Sequence, residues 1–156
     1  MSTELQAAQA ELAPDIQREI NWFVGPGERH FVDPVTVSVV AGVCLSAFFT
    51  ALVKGFGDEV GKETGKALGK WVVERVRAIT SAREHSDPAQ TERDAEMARA
   101  KLQRMDRAQV MVVFDQVEYE LRGGFTEVMP EQRATKLATR IRHVAAKVVY
   151  EPGGTA

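Results

Sequence analysis

Cysteine is almost missing from the chain, which contains one thiol, Cys44, among 156 residues. A single cysteine cannot form a disulfide within the chain, and Cys44 lies in an apolar run where a thiol packs like a small hydrophobic group. The sequence therefore indicates a reducing compartment. The N-terminal segment also lacks the basic and apolar regions of a signal peptide, which argues against export by a cleaved signal.

An excess of charge of one sign is absent too, since 20 basic and 22 acidic side chains give a net charge of -2. Nucleic-acid binding depends on clustered lysine and arginine that displace counterions from phosphates, so this balance disfavours a nucleic-acid partner. The chain is 44% hydrophobic and 27% charged. That composition is typical of a chain that buries one modest core.

Motifs for catalysis or cofactor binding are missing as well. A Walker A loop requires Ser or Thr after its Gly-Lys pair, and none of the Gly-Lys pairs in this chain has one. The three histidines lack the short spacing of zinc ligands. They are His30, His85 and His143. We therefore predict a protein that is not an enzyme, with no cofactor, no metal site and no evident small-molecule substrate.

Charged side chains are absent from Val35–Val53. As a helix this run would extend for about 28 Å, close to the hydrocarbon thickness of a bilayer. Asp33 and Pro34 are typical of an N-cap and a first helical residue, so we predict that a helix begins there, with a short strand over 35–40 as the alternative. The run fits a membrane span and the core helix of a soluble fold equally well.

Small residues recur at every fourth position in two ladders. Glycine inside a helix costs about 0.5 to 1 kcal/mol relative to alanine, so glycines in register indicate close approach of another helix. The predicted helix-packing residues are Ser38, Gly42, Ser46 and Thr50 in the apolar run, then Gly57, Gly61, Gly65 and Gly69. The charged residues between the four glycines place that second ladder at or outside a bilayer. The ladders pack either within one chain or between chains.

The remaining patterns predict a mainly α fold with a small β-hairpin, an α+β chain in three segments. Residues 1–32 form an amphipathic arm of one or two short helices, interrupted at Ala13-Pro14. Residues 33–80 hold the apolar helix and the glycine-ladder helix. Residues 86–150 form a helix, a hairpin and a last helix that begins at Met129-Pro130.

The hairpin is predicted from the alternation of apolar residues over 110–121, with a two-residue turn at Asp115-Gln116. In that strand pairing Glu118 and Glu120 share the solvent face. The last helix is basic on its outer side, a composition typical of a solvated face. Its basic residues are Arg133, Lys136, Arg140, Arg142 and Lys147.

These patterns together favour a small, non-enzymatic, membrane-associated helical protein. We expect it to self-associate through the ladders as a homo-oligomer, or to bind a partner helix, with the lipid bilayer as a possible second partner. Lysine and arginine are more numerous after the apolar run, which predicts an outward N-terminus and a cytoplasmic C-terminal part for a single span.

Two other functions fit the same sequence. One is a cytoplasmic, soluble α+β adaptor whose core is the apolar run and whose binding face is the hairpin with the last helix. The other is an oligomeric pore-forming effector in which several glycine-ladder helices surround a channel.

The double substitution Gly61→Leu with Gly65→Leu tests the packing hypothesis. We expect it to abolish the oligomer or the fold, although leucine favours a helix by about 1 kcal/mol over glycine, because the bulkier side chains prevent close approach. Light scattering and a thermal melt measure the result. A double variant that is simply more stable would contradict the close-approach argument.

Overall fold

A computed structural model describes residues 3–24, 34–54, 71–76 and 88–150. These residues form α1 (Thr3–Val24), α2 (Pro34–Lys54), helical residues 71–76, which we call α3, then α4 (Pro88–Leu102), α5 (Arg107–Phe125) and α6 (Glu131–Val149). Across these ranges the chain contains helices and no β-strand. The part of the protein that the structure describes is therefore an all-α bundle.

The predicted β-hairpin is wrong, because residues 110–121 lie inside α5. The helix buries Val110, Phe114, Val117 and Leu121, whose spacing of four, three and four residues follows one side of a helix. Val112 is 63% exposed, whereas Phe114 is 2% exposed. In a strand these two side chains would share a face, so their different burial excludes the strand pairing.

A capping box at the start of α5 favours the helix over the predicted strand. The Asp106 side chain accepts a hydrogen bond from the backbone N–H of Gln109, and the Gln109 side chain accepts one from the backbone N–H of Asp106. This reciprocal pair is a capping box, which satisfies two N–H groups that a helix start would otherwise leave unpaired. The α+β class is therefore replaced by an all-α class in the described residues.

The N-terminal arm forms one continuous helix, α1, which contains Pro14. A single helix was one of the two predicted arrangements, but the predicted interruption at Ala13-Pro14 is absent and the helix is 22 residues long. Its buried apolar side chains are Leu5, Leu12, Ile16 and Ile20. Proline has no N–H for the carbonyl of Ala10 one turn earlier, and both Pro14 and Ala10 lie on the exposed side of the helix.

The apolar run is helical from Pro34 to Lys54, which confirms the predicted helix and excludes the short strand at its start. α2 contacts α1, α4, α5 and α6. One hydrophobic core includes side chains from every described helix. Its largest fully buried side chains are Phe48, Phe49, Phe114, Phe125, Leu5, Leu12, Ile16, Leu45, Leu52, Leu121 and Ile141.

Three aromatic rings connect α2 with α5 and the end of α6. Phe48 and Phe114 stack with ring centroids 5.8 Å apart, and Tyr150 meets Phe114 edge-on at 6.3 Å. The guanidinium of Arg142 lies 5.8 Å from the Phe114 ring centroid. Phe114 therefore joins the apolar helix to the two C-terminal helices.

Two alanine substitutions in α5 test experimentally whether this segment is a helix or a strand. Phe114→Ala should lower the free energy of unfolding by about 3 to 5 kcal/mol, because it leaves a cavity in the core. Val112→Ala should change it by no more than about 0.5 kcal/mol, because Val112 is a surface residue. Urea unfolding measures both. Similar losses for the two variants would instead support a strand in which both side chains face one side.

Candidate functional site

The candidate site is α2 together with the side chains that contact it. Its segment Val37–Lys54 is long and apolar enough to cross a membrane, and 67% of that segment is buried inside the bundle. The core helix of a soluble protein meets the same length and composition test. The chain thus contains one possible membrane-spanning helix among its described residues, covered by the helices around it.

Two hydrogen bonds from α4 set the register of α2. The Ser46 hydroxyl donates to the Asp94 carboxylate at 2.5 Å, and Lys101 Nζ donates to the backbone carbonyl of Val53 at 2.7 Å. Both pairs are separated by 48 residues, so α2 and α4 run parallel. Lys101 also places a positive charge at the C-terminal end of α2, where the helix dipole favours it.

The first ladder faces side chains from two different helices. A Cβ added at Gly42 would lie 2.6 Å from Gln9 Nε2 and 3.7 Å from Gln9 Cδ, and no other described atom from outside α2 lies within 4 Å of it. A side chain of α1, and not a backbone, therefore fills the space beside Gly42. Ser46 contacts α4, while Ser38 and Thr50 are partly exposed. The second ladder, Gly57, Gly61, Gly65 and Gly69, lies outside the described residues.

Cys44 is completely buried in the middle of α2. Burial raises the pKa of its thiol to about 12, because the thiolate would have to form away from water. At neutral pH the group is a thiol, which is the weakly reactive form. This burial agrees with the packing role that the sequence predicted for Cys44.

Ion pairs join α6 to α1 along one side of the bundle. Arg133 bonds to Glu19 at 3.0 Å, Arg140 to Asp15 at 3.1 Å and Lys147 to Glu11 at 2.9 Å. The two helices are antiparallel, because residue numbers rise along α6 as they fall along α1. The sequence-based prediction of a solvated basic face is therefore incomplete, since carboxylates of another helix occupy much of that face.

Two acidic residues of α5 have environments that the strand pairing did not predict. Glu118 accepts hydrogen bonds from Arg142 Nη1 and the Thr139 hydroxyl, each at 3.0 Å. Glu120 instead has an inaccessible Oε2 without a hydrogen-bond partner among the described residues. Desolvation raises the pKa of Glu120 to about 7. Since this carboxyl binds its proton more tightly in the folded state, its contribution to stability falls as pH rises from about 4.5 to 7.

A cleft of about 340 Å³ opens between the start of α1, α4 and the end of α6. Arg99 lies in it and donates to the carbonyl of Val148 at 2.6 Å and to Glu4 at 3.2 Å. This cleft could not be predicted from the sequence, because its walls come from three helices that are distant along the chain.

The described ranges contain no group of three or more His, Cys, Asp or Glu side chains that could hold a metal ion. His143 is exposed on α6. His30 and His85 lie outside the described residues. Comparison with protein-family models, curated proteins and solved structures finds no match to this chain.

Substitutions at Gly42 test what the glycine does. Gly42→Ala should stabilise the protein by up to about 1 kcal/mol, because alanine favours a helix and the flexible end of Gln9 can rotate away. Gly42→Leu should destabilise it by about 1 to 3 kcal/mol through overpacking. Chemical unfolding measures both variants. A loss of more than about 2 kcal/mol in Gly42→Ala would show that even a methyl group prevents the close approach.

Proposed function

We propose that this protein is a non-enzymatic, membrane-associating helical protein that keeps a membrane-spanning helix, α2, covered within a bundle. Association with a bilayer then requires α2 to leave the helices around it and enter the hydrocarbon. The observation that carries the proposal is the nature of α2, which is long enough to span, has no charged residue before Lys54 and is covered by α1, α4, α5 and α6.

The contacts that hold α2 support this proposal. A helix without charged side chains and with a mostly apolar surface needs apolar cover wherever it lies, and a bundle of amphipathic helices and a lipid bilayer both supply it. Polar contacts, such as the hydrogen bond from Ser46 to Asp94, determine how α2 is positioned within the bundle. Exchange of the bundle for lipid therefore replaces one apolar environment by another.

Ser46 offers a sharp test, because its environment differs between the two states. In the bundle, Ser46→Lys would place an ammonium group beside the Asp94 carboxylate at a partly exposed position. In a membrane, the same lysine would lie near the middle of the span and cost about 2.5 to 3.5 kcal/mol. The substitution is thus tolerated by the bundle and opposed by the bilayer.

The experiment compares the full-length wild type with Ser46→Lys and with the control Ser46→Ala. Each protein is mixed with liposomes, washed with alkaline carbonate and floated on a gradient. We expect wild type and Ser46→Ala to remain with the lipid, and Ser46→Lys to lose roughly a hundredfold in membrane partition. Circular dichroism checks that all three are equally folded. Recovery of every variant in the soluble fraction would contradict the proposal, as would equal membrane partition of Ser46→Lys and wild type.

A soluble interaction domain is the second candidate, favoured by the surface of α5. Tyr119 is 66% exposed and Val112 63% exposed, and the Arg122 guanidinium lies 5.0 Å from the Tyr119 ring centroid. Aromatic and arginine side chains are enriched at protein interfaces. In this function α2 remains in the core, and the protein stays monodisperse without detergent.

Self-association through the ladders and the formation of a pore are extensions of the first proposal. Self-association uses both ladders and the pore uses Gly57–Gly69, which lies outside the described residues. Dye release from the same liposomes distinguishes a channel from a single inserted helix. Release of dye by wild type, with none from Ser46→Lys, would favour the pore-forming function.

A further inference from the structure

The charge of α6 is strongly biased towards one sign. The helix contains five basic residues and a single acidic residue, Glu131 at its first turn. Its opposite side is apolar and buried, with residues such as Leu137, Ile141 and Val144 in the core. In the bundle the basic side of such a helix is usually a solvated face, but a helix with an apolar side and a side rich in lysine and arginine also has the composition that binds anionic membrane surfaces.

Three of these basic residues form one stripe, which we call the basic row: Arg133, Arg140 and Lys147. They are separated by seven residues, so they lie along one side of α6. Three carboxylates of α1 face them, which we call the acidic row: Glu11, Asp15 and Glu19. These are four residues apart and form one ridge of α1.

The acidic row is held closely against the basic row. The side chains of Glu19 and Asp15 are 8% and 10% exposed, and Arg140 also lies 3.6 Å from Glu11. The cation of Lys147 helps to keep the pKa of Glu11 below its usual value. α1 therefore presents a row of negative oxygens to α6, with the chemistry that a surface of anionic headgroups would present.

We propose that the basic row is a binding site for anionic phospholipid headgroups, and that α1 covers it by occupying the same positions with carboxylates. This inference rests on the proposed membrane association and adds to it which lipid the protein selects and which helix must move first. Phosphate oxygens would replace the carboxylate oxygens on Arg133, Arg140 and Lys147, since guanidinium and ammonium groups bind both anions through charge-assisted hydrogen bonds.

The proposed exchange fits the exposure of the pairs. Arg133 and Lys147 are about half exposed, so water and salt reach their ion pairs and weaken them. A bilayer offers many headgroups at once, whereas α1 offers three carboxylates. The other ion pairs of α6, from Arg142 to Asp115 and Glu118, involve α5 and can persist when α1 moves away.

The first test neutralises the acidic row in the full-length protein with Glu11→Gln, Asp15→Asn and Glu19→Gln. A matched control carries Glu74→Gln, Glu96→Gln and Glu127→Gln, which change the net charge equally at exposed positions of α3, α4 and the turn after α5. Binding is measured by flotation with phosphatidylcholine vesicles, with and without phosphatidylglycerol. Near an anionic surface each basic side chain raises binding roughly fivefold, so three uncovered residues give on the order of a hundredfold.

We expect this gain only for the acidic-row variant, only on anionic vesicles and only at low salt. A further variant adds Arg133→Gln, Arg140→Gln and Lys147→Gln to the acidic-row substitutions and restores the original net charge. It should lose the gain. Equal binding by the matched control, or retained binding after the basic row is removed, would overturn the proposal.

Two further measurements address a variant that does not fold and a phosphate source other than lipid. If the triple acidic-row variant does not fold, the single substitution Glu11→Gln, at the most exposed of the three carboxylates, should give a smaller gain of the same kind. Preference for a DNA duplex over anionic vesicles would assign the basic row to another phosphate source and overturn the lipid assignment.

Failure of this inference is distinguishable from failure of the proposed function. Headgroup binding is reversed by salt, whereas insertion of α2 resists carbonate. The acidic-row substitutions combined with Ser46→Lys should therefore still bind anionic vesicles reversibly while they fail to insert. Carbonate-resistant wild type together with no salt-sensitive gain in the acidic-row variant would retain the function and reject the headgroup site.

Discussion

The need to cover an uncharged helix governs the arrangement of this bundle. α2 has no charged side chain before Lys54 and is partly exposed only along a narrow side that includes Ser38, Ser46 and Thr50, so most of its surface requires an apolar environment. α1, α4, α5 and α6 each turn an apolar stripe towards it or towards each other. Their own charged residues are thereby left at the outside, where they meet as ion pairs between helices.

The polar contacts determine the orientation of the helices, whereas the apolar contacts supply most of the stability. Apolar cover is non-directional and would tolerate several rotations of α2, whereas a hydroxyl that donates to one carboxylate permits few. Ser46 with Asp94 and the Val53 carbonyl with Lys101 fix the position of α2 along α4. The ion pairs of α6 do the same for α1 and α5. The core thus supplies stability, and the surrounding polar pairs select one arrangement of helices.

Sequence patterns predicted the helices well where one cue dominated. The absence of charge over Val35–Val53 and the proline at position 34 gave α2 its type and its start. The same cue could not predict whether that helix lies in a protein core or in a membrane, because both kinds of helix have similar hydropathy. The prediction for the α5 segment was wrong for another reason. Exposed apolar residues such as Val112 produced an alternating pattern typical of a strand, which obscured the helical spacing of the buried residues. The decisive signal was Asp106 with Gln109, a capping box just before the ambiguous run.

Contacts between helices were harder to predict from the sequence than the helices themselves. Glu19 and Arg133 are 114 residues apart, and nothing local indicates that they meet. Their pairing depends on the antiparallel packing of α1 on α6, which only the tertiary structure supplies. Gly42 was predicted as a close-contact position from its spacing in the ladder. Its neighbour, Gln9, could not be predicted, because that contact also depends on how two helices pack.

Pro14 has a consequence for how α1 could leave the bundle. Proline cannot donate a hydrogen bond to the carbonyl one turn earlier, and in a helix interior it costs about 3 kcal/mol. α1 therefore owes its helical form to its contacts with α2 and α6 more than to its own sequence. Once separated from them it would lose helical order and gain the conformational entropy of a free chain. Docking and folding of α1 are then a single event, so this segment is either a complete helix on the bundle or an unstructured tether beside it.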